Sequence, residues 1–223
     1  MAISSNDRPS GDLTARARIR DAALVQFAER GASGATIKGI AEQAGVSPGL
    51  VQHHFGTKDN LRQACDDAVI DVLRRQTTRG AVSGEITKPE FIADLYDTSP
   101  LLLRYLARAA VDGGPAAAAV LDELASGGEE FLTHTWPQRF PPGSQQARDA
   151  AAVMCAMHLG VIVLHAHLVR QMGTDLEGAD STRIGLAMVD LYAAMGEFAT
   201  SDTGRLMTDA VTHYRDDKKG TTR

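Results

Sequence analysis

Apolar residues recur along this chain at three- and four-residue spacings, broken by short polar stretches, and that periodicity predicts helices almost throughout. Ile19, Ala22, Ala23 and Phe27 share one helical face. That helix starts near Asp12 or Thr14, and Gly31 ends it, as glycine does after a last helical turn. Ile37, Ile40, Ala41 and Ala44 form the stripe of a short second helix behind the cap residue Thr36. Gly45 then supplies a turn where positive φ is needed. Ser47 caps a third helix with Pro48 at its first position, and Val46 and Val51 form a hydrophobic staple across the cap. Thr57 caps a long fourth helix with the stripe Leu61, Cys65, Ala68 and Val72.

Further helices are expected over 88–97, 100–112, 116–138, 145–172, 180–199 and 202–216, separated by Gly- and Pro-rich breaks. Period-two runs of β-branched residues are missing, so the fold class is all-α. The loose stretch after Arg79 suggests a domain boundary. The expected organisation is a disordered arm (1–11), a helix-turn-helix domain (12–60), a bridging helix (61–79), a larger helical domain (80–217) and a tail (218–223).

One run needs a choice. Residues 150–169 carry no formal charge and have the length of a membrane span. They also hold His158, His165 and His167, a glycine and several alanines, and intramembrane histidine is rare. A helix buried on both sides accounts for them more simply.

Composition and charge sharpen the picture only slightly. The chain is 43% hydrophobic with a formal net charge of −5, which argues against a protein coated in nucleic acid. Residues 1–60 hold seven Lys/Arg and six Asp/Glu, whereas the remainder is acidic, so the first part is the less repellent to a polyanion. Cys65 and Cys155 have neither disulfide-framework nor metal-finger spacing, which suits a reducing, cytoplasmic compartment; no signal peptide is apparent. No catalytic motif and no cofactor-binding loop appears, so an enzyme is not expected and no cofactor is implied.

The stretch "AGVSPGLVQHHFGTKDN" (44–60) is the most informative. Two short helices joined through Gly45 have the dimensions of a helix-turn-helix. Val51 and Phe55 hold the second helix to the core, leaving Pro48, Gly49, Gln52 and His53 on the outer face with Leu50 at its edge. Gln pairs with an adenine edge, Leu touches a thymine methyl, and small residues let the backbone approach a major groove. Lys58 lies in the first turn of a helix, where the dipole disfavours a cation. Either a phosphate sits between it and the free N–H groups, or it is an ordinary solvated lysine. His54 either donates to a phosphate beside it or lies half-buried on its helix.

Residues 18–61 resemble the DNA-binding domain of the tetracycline-repressor (TetR) family of bacterial transcription regulators. Ala23, Phe27 and Gly31 match the family's first-helix pattern. Thr36, Ile40, Ala41, Ala44, Gly45, Val46 and Ser47 match its T-x-x-x-I-A-x-x-A-G-V-S. Phe55, Lys58 and Leu61 match its F-x-x-K-x-x-L. Gln52 departs from the family's usual Tyr, a phosphate contact, and so stands between base reading and a weaker phosphate bond. The resemblance implies an all-helical homodimer with a small DNA-reading domain and a larger domain that binds a small-molecule effector. The larger domains pair through a four-helix bundle, and the effector releases a near-palindromic operator. By position, it implies base contacts from Lys38, Pro48, Gly49, Leu50, Gln52 and His53, and phosphate contacts from Thr36, Ser47, His54 and Lys58.

Beyond residue 80 the residues speak for themselves. Helix 145–172 has two faces to bury, and helix 180–199 offers the stripe Ile184, Met188, Leu191, Tyr192 and Met195 as its bundle partner. Phe91, Leu95, Tyr105, Phe131, Trp136, Met154 and Met157 either line a cavity or pack an ordinary core, with His158 as a polar ligand contact. Cys155, His158 and His165 share a face of a continuous helix. That trio keeps a metal-responsive regulator open as an alternative, although His158 and His165 stand two turns apart. A helical adaptor without a DNA role is the other alternative, and it leaves the outer face of the third helix without a purpose.

Overall fold

A computed structural model of the chain describes residues 15–97, 100–113, 115–173 and 182–220; the backbone alone is described at 81–82, 95–97, 115–117 and 219–220. The expected arm at 1–11 lies outside the described residues. These form α1 (Ala15–Gly34), α2 (Ile37–Ala44), α3 (Pro48–Phe55), α4 (Lys58–Thr77), α5 (Pro89–Asp97), α6 (Pro100–Asp112), α7 (Pro115–Thr135), α8 (Gln145–Val163), α9 (His165–Met172), α10 (Thr182–Thr200) and α11 (Asp202–Gly220). No strand occurs among them. Between α4 and α5 the chain makes a π-helical turn, Thr78–Val82, and a 3-10 turn, Glu85–Thr87.

The local signals act as their chemistry requires. Thr36, Ser47 and Thr57 each accept the N–H three residues on, at 3.0, 3.2 and 3.1 Å, which satisfies one exposed donor at the start of α2, α3 and α4. Gly45 adopts φ 64°, ψ 40° and closes α2. Gly31, at φ 69°, ψ 178°, breaks α1 in a region that side chains other than hydrogen avoid. Its N-terminal part is therefore a helix to Arg30, followed by one further turn.

Two compact units divide the chain, one running to Leu168 and the other from Val169. The boundary expected near residue 80 falls inside the first unit. Ile19, Leu24, Ile40, Val51, Leu61 and Val69 are fully buried, and the same core takes in Tyr105 and Leu106 of α6 and Val120 of α7. A core shared by α1–α4 and α6–α7 leaves no seam at 80, because α6 lies against α1 and α7 against α4.

The apolar run at 145–172 is not one continuous helix. Leu164, at φ −91°, ψ 15°, separates α8 from α9. Neither is it buried on both sides within one chain: Ala147 and Ala151 are buried, whereas Val153, Met157, Val163 and Leu164 are exposed. No single helix among the described residues is long and apolar enough to cross a membrane. The second unit is a helical hairpin, α10 against α11, in which Gly204 comes close to the backbone of Phe198 and Ala199. There α11 runs on to Gly220, past the expected end at 216.

Candidate nucleic-acid interface and internal cavity

In the α2–turn–α3 unit, Val51 and Phe55 are buried, with the Arg16 guanidinium 5.1 Å from the centre of the Phe55 ring. That anchoring leaves Pro48, Gly49, Gln52 and His53 exposed together on one side of α3, with Leu50 half-buried at the edge. His53 and His54 meet edge to face at 5.5 Å. Lys38 is exposed on α2 and faces Glu42 one turn away at 3.9 Å. The unit thus presents amide, imidazole, ammonium and bare backbone to one partner, which is a set able to address the floor of a major groove.

The flanking hydroxyls have a double capacity. Thr36 and Ser47 use oxygen lone pairs for the helix caps, and each keeps an O–H to donate. Lys58 has partners that neither sequence reading named. Its Nζ donates to the carbonyls of Ala32 at 2.7 Å and Ala35 at 3.2 Å. The cation therefore complements the carbonyl-rich end of α1, and this explains its place at the unfavourable end of α4. Two of its three N–H bonds are spent, leaving one for a phosphate.

Behind this unit, α6 joins the reading helices to the rest of the first unit. Tyr105 Oη donates to the buried Asp66 Oδ1 at 2.5 Å. Burial raises the Asp66 carboxyl above its ordinary range, and the Tyr105 hydrogen bond opposes that shift. Burial also pushes the Tyr105 phenol and the Cys65 thiol up, so both remain protonated. At the end of α6, Asp112 Oδ2 accepts the backbone N–H of Ala32 at 3.1 Å while Oδ1 faces Arg108 Nε at 3.2 Å.

A cavity of about 280 Å³ lies among α4, the π-turn, α6, α7 and α8. Its wall includes Phe131, Met154 and His158 from the sequence candidates, together with Leu106, Leu124, Leu159 and Ile162. Gln76, Thr77 and Cys155 supply its other polar side chains, and no Asp, Glu, Lys or Arg among the described residues lines it. The remaining candidates lie elsewhere. Tyr105 is held in the core by Asp66, and Phe91 is buried against Gly80 under the Arg79 guanidinium. Trp136 is exposed and meets Phe131 edge to face at 5.8 Å. Met157 is exposed on α8, and the Leu95 side chain lies outside the described residues.

Sequence reasoning passed over the glycines and Gln76. A search for bulky apolar residues finds walls, but cavities are also made by what is missing. Gly127 and Gly128 sit inside α7, where each costs about 1 kcal/mol relative to alanine. A Cβ on Gly127 would stand 2.7 Å from Thr77 Oγ1, and one on Gly128 2.9 Å from Met154 Cε. Paired glycines in an otherwise strong helix were the available signal.

No cluster of three or more His, Cys, Asp or Glu among the described residues is placed to hold a metal ion. The shared face of Cys155, His158 and His165 assumed a continuous helix. The non-helical backbone at Leu164 breaks that register.

Comparison with known proteins places the chain in a family. The sequence model of the bacterial regulatory proteins, tetR family, matches residues 19–65. The chain is 41% identical over 171 residues to the HTH-type transcriptional regulatory protein RaaS of Mycobacterium tuberculosis, covering 76% of this chain and 79% of that protein. It is 36% identical over 70 residues to the HTH-type transcriptional regulator BetI of Paraburkholderia phymatum, covering 31% of this chain and 36% of that one. In three dimensions it is similar to SmeT, the repressor of the Stenotrophomonas maltophilia multidrug efflux pump SmeDEF, with a TM-score of 0.52 and 21% identity over 74% of this chain and 84% of that one. That likeness bears on the fold alone.

Proposed function

This chain belongs to the tetR family of bacterial regulatory proteins and is a transcriptional regulator with a helix-turn-helix DNA-binding unit; from that premise we propose that it is a repressor. It binds a near-palindromic operator as a homodimer, and a small molecule in the internal cavity releases it.

The observation that carries the DNA-binding reading is the face of α3. Val51 and Phe55 are buried while Pro48, Gly49, Gln52 and His53 stand exposed side by side. One such unit reads too few base pairs for selectivity, so a twofold axis must double it. Support for the second copy comes from α10, where Leu186, Val189, Leu191, Tyr192, Met195 and Phe198 are 38–69% exposed in a single chain. So many large apolar side chains on one helix mark a surface that something covers.

Release follows from the position of α6. Leu106 forms part of the cavity wall, its neighbour Tyr105 holds Asp66 of α4, and Asp112 holds the end of α1. A guest that displaces α6 therefore pulls on two helices that support the reading unit. The ligand only shifts the equilibrium by the difference in its affinity for the two arrangements.

The test is a gel shift and light scattering on the full chain with the DNA upstream of its own coding sequence. Salt-sensitive binding of one dimer per palindrome is expected. A monomer at micromolar concentration with undiminished binding would refute the dimer, and no preference for that DNA over random duplex would refute operator reading.

A further inference from the structure

The geometry points to an uncharged, largely apolar effector that offers a hydrogen-bond donor to Gln76. This inference rests on the cavity being the effector site proposed above, and it specifies the chemistry of the guest.

Charge is decided first. Among the described residues, no Asp, Glu, Lys or Arg side chain lines the cavity wall. A carboxylate or ammonium group entering it would leave water without a counter-ion, which costs several kcal/mol. The apolar wall from α6, α7 and α8 instead repays the burial of hydrocarbon.

The polarity of the hydrogen bond is decided by two neighbours. Gln76 stands beside Asp94, a carboxylate that Arg79 keeps ionised from 2.5 Å and that can only accept. The amide is thereby held one way round, with Nε2 toward Asp94 and Oε1 on the other side. Gln76 lines the cavity, and its Oε1 is buried with no hydrogen-bond partner among the described residues. A buried carbonyl oxygen left in that condition costs roughly 1–3 kcal/mol, recoverable by any guest that supplies a donor. The oxygen is covered, so the donor meets it once the Gln76 side chain shifts toward the guest.

The backbone shows that this space is built and not a packing fault. Gly127 and Gly128 weaken α7 yet allow Thr77 and Met154 to approach. Gly80, also in the wall, lies in the π-turn Thr78–Val82, an irregularity that recurs at functional sites. At about 280 Å³ the cavity sits at the small end of small-molecule sites, about 300–1,000 Å³, and suits a two-ring guest.

Three probes of one shape separate the possibilities: 2-naphthol carries a donor, 2-methoxynaphthalene an acceptor only, and 2-naphthoate a negative charge. Calorimetry with the full chain at neutral pH is expected to rank naphthol above the ether by about fivefold to tenfold, the worth of one net hydrogen bond, with naphthoate weakest. Gln76→Leu should reduce the naphthol-to-ether ratio to within about twofold while the ether still binds. Ile162→Trp, which fills the cavity, should abolish binding of all three. Naphthoate binding as tightly as naphthol would overturn the inference, as would an unchanged ratio in Gln76→Leu or no binding by any probe. If Gln76→Leu does not fold by circular dichroism, the ranking on the unaltered chain and the Ile162→Trp result decide. Gel shifts with each probe keep the two readings apart: naphthol that binds without loosening DNA leaves the cavity chemistry standing and removes its role as the effector site.

Discussion

Lys58 Nζ donates to the carbonyl oxygen of Ala32 across 2.7 Å, tying the first residue of α4 to the end of α1. With its second bond to Ala35, this ammonium closes the frame on which α2 and α3 are mounted.

Lys58→Met should therefore lower stability in the absence of DNA, by about 1–3 kcal/mol for lost charge-assisted bonds to buried-end carbonyls. Urea unfolding measures it. The remaining N–H is tested separately: a phosphate contact predicts that the variant's salt slope for DNA binding flattens by about one unit. An unchanged unfolding midpoint would show that the carbonyl bonds contribute nothing net.

Gln52 is exposed on the outer face of α3, and we expect it to read a base. Gln52→Ala should cost roughly 1–3 kcal/mol on the operator and much less on one altered at a single symmetric base pair. Binding measured against operators substituted one pair at a time decides. An equal penalty on all of them would assign Gln52 to the backbone.

Gly31→Ala should destabilise the chain by about 1–3 kcal/mol, because its backbone is in a region reserved for glycine. The new Cβ would also stand 2.4 Å from Arg108 Nε. Arg108→Ala in the same chain relieves the clash but not the backbone strain. A double-mutant cycle in urea should thus show partial rescue, and full rescue would mean the φ angle costs nothing.

The Tyr105–Asp66 pair gives a pH dependence of defined sign. Burial holds the Asp66 carboxyl above its ordinary value, so the folded chain binds this proton more tightly than the unfolded chain. Stability from this group is complete below the unfolded pKa and is lost as pH rises through the folded one. Asp66→Asn removes the titration. Thermal melts between pH 4 and 8 should show the unaltered chain gaining on the variant as pH falls, and parallel curves would contradict the assignment.

Tyr105→Phe leaves Asp66 Oδ1 without its donor and should cost about 1–3 kcal/mol, with little effect on the helix content of α6. Denaturant unfolding followed by circular dichroism checks both parts.

What the sequence determined by itself was whatever depends on neighbours a few residues apart. Thr36, Ser47 and Thr57 mark their helix starts, Gly45 its left-handed turn, and Val51 with Phe55 the inward side of α3, because caps, turns and helical faces are local physics. The residues that α3 exposes were legible for the same reason. Tertiary structure decided the rest. Lys58 meets carbonyls more than twenty positions away, and Tyr105 takes its place in the core beside Asp66. The core continues past residue 80 because α6 and α7 lie on α1 and α4. The cavity itself is outlined by Gly127, Gly128 and Gln76, whose meaning comes only from what stands opposite them. Periodicity reports which face of a helix is apolar; which element covers that face, and where a gap is left, is settled by close packing between distant parts of the chain.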